Sequence, residues 1–360
     1  METVQRGTIK TLRVIEAPPK RFWTKPMWEG DTFQRPAMNF NNTNNKRILG
    51  DVPVEQDGSA FFEVPADRFV FFQALDAEGM MVQSMRSGTS LRPGETLSCI
   101  GCHESRHETP KLSKSSYPDA LKRPPSHLKN WYGTERNFDY QTEVQPIWDK
   151  YCISCHDFGK KAERSLNLSG DLGLVFNLSY MELRRRTSLR WYPEPPETHP
   201  KELIKPVDDG PPEVLPPYAW GAHRSRLIGF LRGEHHGVRL DKESFDRIVT
   251  WIDINTPFYA DYETDFPNHL FGRSPLDDTE LKQIAELTGV PVNSTLLFAE
   301  NTGTRINFTR PEQSDCLKKL PENDPRYQEA ITIIRRGRDR LIYQNQIQRT
   351  SVCYETFLDK

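Results

Sequence analysis

The chain has 360 residues and a formal net charge of −2, which allows two domains and gives no net basic charge from which nucleic-acid binding would be read. Its 28 prolines lie above the ~5% of an average chain, while aromatic residues stay plentiful at 11%. That combination predicts long ordered loops rather than disorder, and no run reaches the ~20 apolar residues of a membrane-spanning helix.

In chain order, residues 48–85 read as β. Asp57–Gly58 is a turn, and Ser59–Val64 and Arg68–Leu75 are strand-like runs rich in Phe and Val. The loop Asp76–Gly79 joins the second run to Met80–Met85 as a hairpin. These short strands and tight turns predict a small β-sandwich. Residues 108–138 are polar and carry Pro110, Pro118, Pro124 and Pro125, so a domain boundary is expected there, near residue 130. Val144, Ile147, Trp148 and Tyr151 then fall on one helical face, with Pro146 near the helix start or at a kink. Residues 192–220 form a second proline-rich loop. Arg224–Arg232 predicts a short helix closed by Gly233. Asp241 caps a helix with Phe245, Ile248, Val249 and Ile252 on one face, ended by Pro257. Asp324 and Pro325 open a last helix running to about Tyr343.

Two Cys-x-x-Cys-His units stand out, Cys99–Cys102–His103 and Cys152–Cys155–His156. Two thiols separated by two residues lie on one side of a backbone turn and can both add to the vinyl edges of one haem. The adjacent histidine projects under the ring and reaches the iron, so the pattern points to covalent haem c. A bare pair would read equally as a redox dithiol or half a zinc site. The histidines decide against that: with 9 His in the chain, both positions carry one by chance about once in 1,600. Two covalently bound haem c groups are therefore expected.

For the second haem, His156 is the first axial ligand. The opposite ligand is open among His199, His223, His235, His236 and His269, with Met181 as a sulfur alternative. His235 and His236 stand out because they lie between two predicted helices. In the first motif His103 and His107 are four apart. Either His103 takes the iron, or His107 takes it and frees His103 for a second metal such as zinc. Met80, Met81 and Met85 are read as strand core rather than iron ligands. Arg184–Arg186 and the Arg335, Arg336, Arg338 and Arg340 cluster read as solvated faces before haem-propionate or partner contacts. Cys316 and Cys353 would pair in an oxidising compartment.

The stretch ILGDVPVEQDGSAFFEVPADRFVFFQALDAEGMMVQSMRSG…SCIGCHESR resembles the middle domain of the hydrazine synthase alpha subunit and its planctomycete-type dihaem relatives. The segments VQPIWDKYCISCHD, HRSRLIGFLRGEHHGVRL and IVTWIDINTPFY resemble the cytochrome c-like domain that follows it. The resemblance implies one haem per domain, with His156 opposite His235 at the second. At the first, family members place a tyrosine iron ligand four residues after the motif histidine, and that histidine faces a zinc. The matching residue here is His107. The family's N-terminal β-propeller has no counterpart in this chain.

The expected fold is α+β. A small β-sandwich-like domain, 1–130, carries the first motif. A mainly α-helical c-type cytochrome domain, 131–360, carries the second motif and a C-terminal helical region. The expected function is electron transfer by an exported, periplasmic dihaem protein. It would have a redox partner protein and a place in a larger multi-subunit complex, without nucleic acid or a membrane span. Since the first residues hold no signal-peptide core, the start is expected to be truncated. Two alternatives are an oxidoreductase acting on small nitrogen compounds at the first haem and a haem-bearing interaction module.

Overall fold

The computed structural model describes residues 4–19, 46–101, 117–184, 203–207, 215–233, 235–261, 266, 268–269, 273–292 and 305–358, with side chains to 344 in the last stretch. The fold is mixed α and β, in two compact units. One gathers Met1–Arg21, Trp28–Ile147 and Arg186–Tyr262; the other gathers Phe22–Met27, Trp148–Arg185 and Glu263–Lys360. The units thus interleave along the chain.

The first unit is built on one antiparallel sheet in the order β2-β1-β3-β4: β1 Thr11–Glu16, β2 Arg47–Pro53, β3 Val70–Leu75 and β4 Met81–Ser84. Alternation along the strands separates two faces. Val14, Leu49 and Val70 form a small core on one face, with Phe62, Val64, Phe72 and Leu128 packed against it. Arg13 and Gln73, paired in register, point to the other. There they meet helix α5, Lys242–Asp253. Arg13 Nη1 donates to Thr250 Oγ1 at 2.8 Å, and Gln73 Nε2 donates to the Asp253 carbonyl at 2.7 Å.

A second sheet was expected to cover this face. Among the described residues there is one sheet, and α5 supplies the second layer. The run Ser59–Val64 makes only a bridge, Phe62 with Ser126, rather than a ladder. Close packing on β2 is made possible by Gly50 (φ +149°): a Cβ there would lie 2.8 Å from the Lys129 carbonyl, which accepts from Asp51 N.

Helices of this unit begin and end as their sequences dictate. Asp139 accepts from the amides of Gln141 and Thr142 to open α1, Tyr140–Glu143. Val144 separates it from α2, Gln145–Tyr151, and Pro146 falls in the first turn of α2, where a missing N–H costs nothing. The short α4, Arg226–Arg232, ends at Gly233, and Asp241 caps α5 through Ser244 N.

The second unit contains α3, Leu178–Arg184, α6, Asp278–Thr288, and α7, Pro325–Leu358. Helix α6 opens with a reciprocal capping box, Asp277 and Glu280, and closes on Gly289 in the left-handed region. Glu280 also receives Arg336 and Arg340 from α7, at 3.0 and 2.6 Å. These arginines, with the Arg335–Glu312 pair, form an ion-paired face. Arg184, read from sequence as solvated, is instead buried in α3.

Candidate functional site: the cysteine–histidine turn after α2

Helix α2 ends directly in the second motif. Cys152 N still donates to the Trp148 carbonyl, at 2.8 Å. The chain then turns: Cys155 N and His156 N both donate to the Cys152 carbonyl, at 3.1 and 2.9 Å. Cys152, Cys155 and His156 therefore sit on one tight turn. Both thiols are free, Cys152 half-buried and Cys155 exposed. Burial, and then the neighbouring Cys155 thiol, pushes the Cys152 thiol up to about 11. A redox dithiol needs the opposite, a depressed attacking thiol, so the local electrostatics do not favour that use.

The imidazole of His156 is oriented by the backbone that follows. Its Nδ1 lies 2.8 Å from the Leu166 carbonyl. A carbonyl can only accept, so Nδ1 carries the proton and Nε2 keeps its lone pair. That is the tautomer an axial or metal ligand needs, held by an outer partner. The loop between closes on itself: Ala162 N donates to the Cys155 carbonyl at 2.9 Å, and Leu168 N donates to the His156 carbonyl at 2.8 Å.

A guanidinium fastens the same loop. Arg310 Nη2 donates to Asp157 Oδ1 at 2.6 Å and to Asp171 Oδ1 at 2.8 Å, while its Nε donates to Asp171 Oδ2 at 2.7 Å. Asn307 Nδ2 adds a bond to Asp171 at 2.6 Å, and the guanidinium lies 4.5 Å over the Phe158 ring. Burial pushes the Asp157 carboxyl up, but the Arg310 bond and the Phe158 amide outweigh it and hold it below the ordinary range. Sequence reading missed Arg310 and Leu166: the first is 153 positions from Asp157, and the second acts through its backbone.

The donor set fits a covalently attached haem. Two free thiols share a turn with an imidazole whose Nε2 is available, and no other metal arrangement competes: among the described residues no three His, Cys, Asp or Glu side chains gather as a metal site.

Other predicted site residues are placed as follows. Cys99 is exposed, flanked by the exposed side chains of Leu97 and Ile100. Cys102, His103 and His107 lie outside the described residues, and with them the zinc expected near His103; His199 does too. His235 and His236 are exposed, in a short turn of the first unit at 235–237, their rings 4.4 Å apart. His223 Nε2 pairs with Asp76 Oδ2 at 2.8 Å, and His269 Nδ1 with the Ser274 carbonyl at 3.0 Å. Met80 and Met81 are buried, as core. Cys316 is a buried free thiol pushed up to about 12 by burial, while the Cys353 side chain lies outside the described residues. Among the described residues no helix is long and apolar enough to cross a membrane.

Residues 7–104 match the family model of the hydrazine synthase alpha subunit middle domain. Hydrazine synthase subunit alpha of Kuenenia stuttgartiensis is 25% identical over 232 residues, 48% of this chain and 28% of that protein. A solved chain of Kuenenia stuttgartiensis hydrazine synthase aligns with 71% of this chain and 40% of its own length, at 20% identity and a TM-score of 0.45. The chain thus spans under a third of the length of the curated relative it matches. The span 7–104, which holds all four strands and Cys99–Cys102–His103, is similar to the middle domain of the hydrazine synthase alpha subunit.

Proposed function

We propose that the chain is a dihaem c-type protein that transfers electrons. One haem is attached through Cys152 and Cys155 with His156 as axial ligand, and the other through Cys99 and Cys102. The observation that carries this reading is the turn after α2, where two free thiols and a histidine of fixed tautomer share a few residues. When bound, the haem supplies a one-electron redox centre tuned by its axial ligands and surroundings. The chain's own residues do the rest. Cys152 and Cys155 form the thioether links, the Leu166 carbonyl holds the Nδ1 proton, and His156 Nε2 faces the iron. His235 is proposed as the opposite ligand, making the second centre six-coordinate and leaving no open site for substrate. His103 and His107 share the first centre, one on iron and the other on zinc or unliganded. Haem attachment of this kind places the protein outside the cytoplasmic membrane, in a larger assembly with a redox partner protein.

A second reading, oxidoreductase action on small nitrogen compounds at the first haem, draws on one observation. The span similar to the hydrazine synthase alpha subunit includes the first motif and stops before the second. A pyridine haemochrome assay on protein matured through a haem-attachment pathway tests both. Two haems per chain and an entirely low-spin spectrum support electron transfer. A five-coordinate first haem that shifts with nitric oxide supports the second reading, and zero haem overturns both.

A further inference from the structure

We infer that Arg310 is a positioning residue for His156: it locks the loop that presents the imidazole, and so determines whether His156 stays bound to iron. The inference rests on the haem attachment proposed above and adds a determinant from the far end of the second unit.

The geometry is specific. The residue immediately after His156 is Asp157, and Arg310 Nη2 holds it at 2.6 Å. The same guanidinium grips both carboxylate oxygens of Asp171, at 2.7 and 2.8 Å. Asp157 and Asp171 bracket the segment containing Leu166, whose carbonyl orients His156 Nδ1, and Leu168, whose amide binds the His156 carbonyl. Beyond Asp171, Leu172 N donates to Thr309 Oγ1 at 2.9 Å, and Phe308 N donates to the Leu172 carbonyl at 2.8 Å. Arg310 thus closes both ends of the loop onto the strip 307–310. A planar fork can span two carboxylates at once; an ammonium is a point charge that cannot. With the clamp gone, Asp157 and Phe158 lose their anchor. The His156 ring then keeps its own carbonyl partner but not the fixed position of the backbone that carries both.

The test uses haem-loaded full chain and compares wild type with Arg310→Gln and Arg310→Lys, taking Arg335→Gln as a control for loss of an exposed ion pair in the same unit. The expected result is unchanged haem stoichiometry in Arg310→Gln, because the cysteines are intact. A high-spin fraction should appear, and carbon monoxide should bind at least ~10-fold faster. Arg310→Lys should fail to restore the low-spin spectrum, and Arg335→Gln should match wild type. A lowered melting temperature with the wild-type spectrum would show a purely structural clamp and overturn the inference. Should Arg310→Gln not fold, Asp157→Asn cuts only the link beside His156. A partial spectral change there supports the inference, and none overturns it. Wild type that carries no haem would instead overturn the haem reading beneath it.

Discussion

Each unit ties its segments together through a buried aspartate, and the two do so in opposite ways. In the first unit Asp253, at the end of α5, accepts from Met81 N at 2.9 Å and Ala222 N at 2.7 Å. Its partners are neutral amides; the nearby Arg13 is engaged with Asp51 and Thr250. In the second unit Asp171 and Asp157 share the Arg310 guanidinium. Desolvation pushes the Asp253 carboxyl up to about 7, against the two amides. Asp157 also feels burial, yet Arg310 holds it below the ordinary range. Burial alone does not set the charge state of a structural carboxylate; the charge of its partner does.

The comparison is broken most directly by removing the partner. Arg310→Met should cost about 3–5 kcal/mol, since it strands the Asp171 carboxylate without its counter-charge. Urea unfolding of the metal-free chain reads this, and a loss under about 1 kcal/mol would mean the guanidinium is not what stabilises the junction. In the first unit Asp253→Ala should cost about 2–3 kcal/mol, because two buried amides lose their acceptor. Gly221→Ala should cost about 2 kcal/mol by the same junction. Gly221 has φ +84°, and a Cβ there would lie 2.6 Å from Asp253 Oδ1 and 2.7 Å from the Met81 methyl. If Gly221→Ala were neutral, the junction would be looser than these distances describe.

Much of the local structure was legible because it is written in neighbouring residues. The Asp76–Gly79 hairpin, the Asp241 cap and the Gly233 stop all follow from side chains within four positions of the backbone they serve. The capping box of α6 carried the same kind of signal at Asp277 and Glu280, though its helix was not anticipated. Strand β1 was also missed. Thr11–Glu16 follows no turn signal, and its place between β2 and β3 depends on partners more than thirty positions away. The candidate site divides similarly. Cys152, Cys155 and His156 are adjacent and readable, whereas the Leu166 carbonyl has no side-chain signature and Arg310 reaches its aspartates across more than a hundred residues. Arg184 was misread because its neighbours Arg185 and Arg186 made it look like part of an exposed basic run.

The smallest expected effect is the one that sharpens the comparison most. Asp253→Asn keeps the volume and one acceptor oxygen but cannot ionise, so about 1 kcal/mol is expected from the lost amide bond alone. The pH dependence is more telling. Because the folded carboxyl sits near 7, above its ordinary 3.8, the stability it contributes is fully present below that ordinary value and is lost as pH rises through about 7. Asp157 has the opposite sign: its contribution is present above the ordinary carboxylate range and is lost as acid protonates it. Urea midpoints of wild type and Asp253→Asn between pH 5 and 8 should therefore converge or cross as pH rises, with wild type losing ground. A difference that stays flat across that window would show that Asp253 is ionised throughout. The two junctions would then be alike in charge after all, and the neutral amides of Met81 and Ala222 would be sufficient to hold a buried carboxylate.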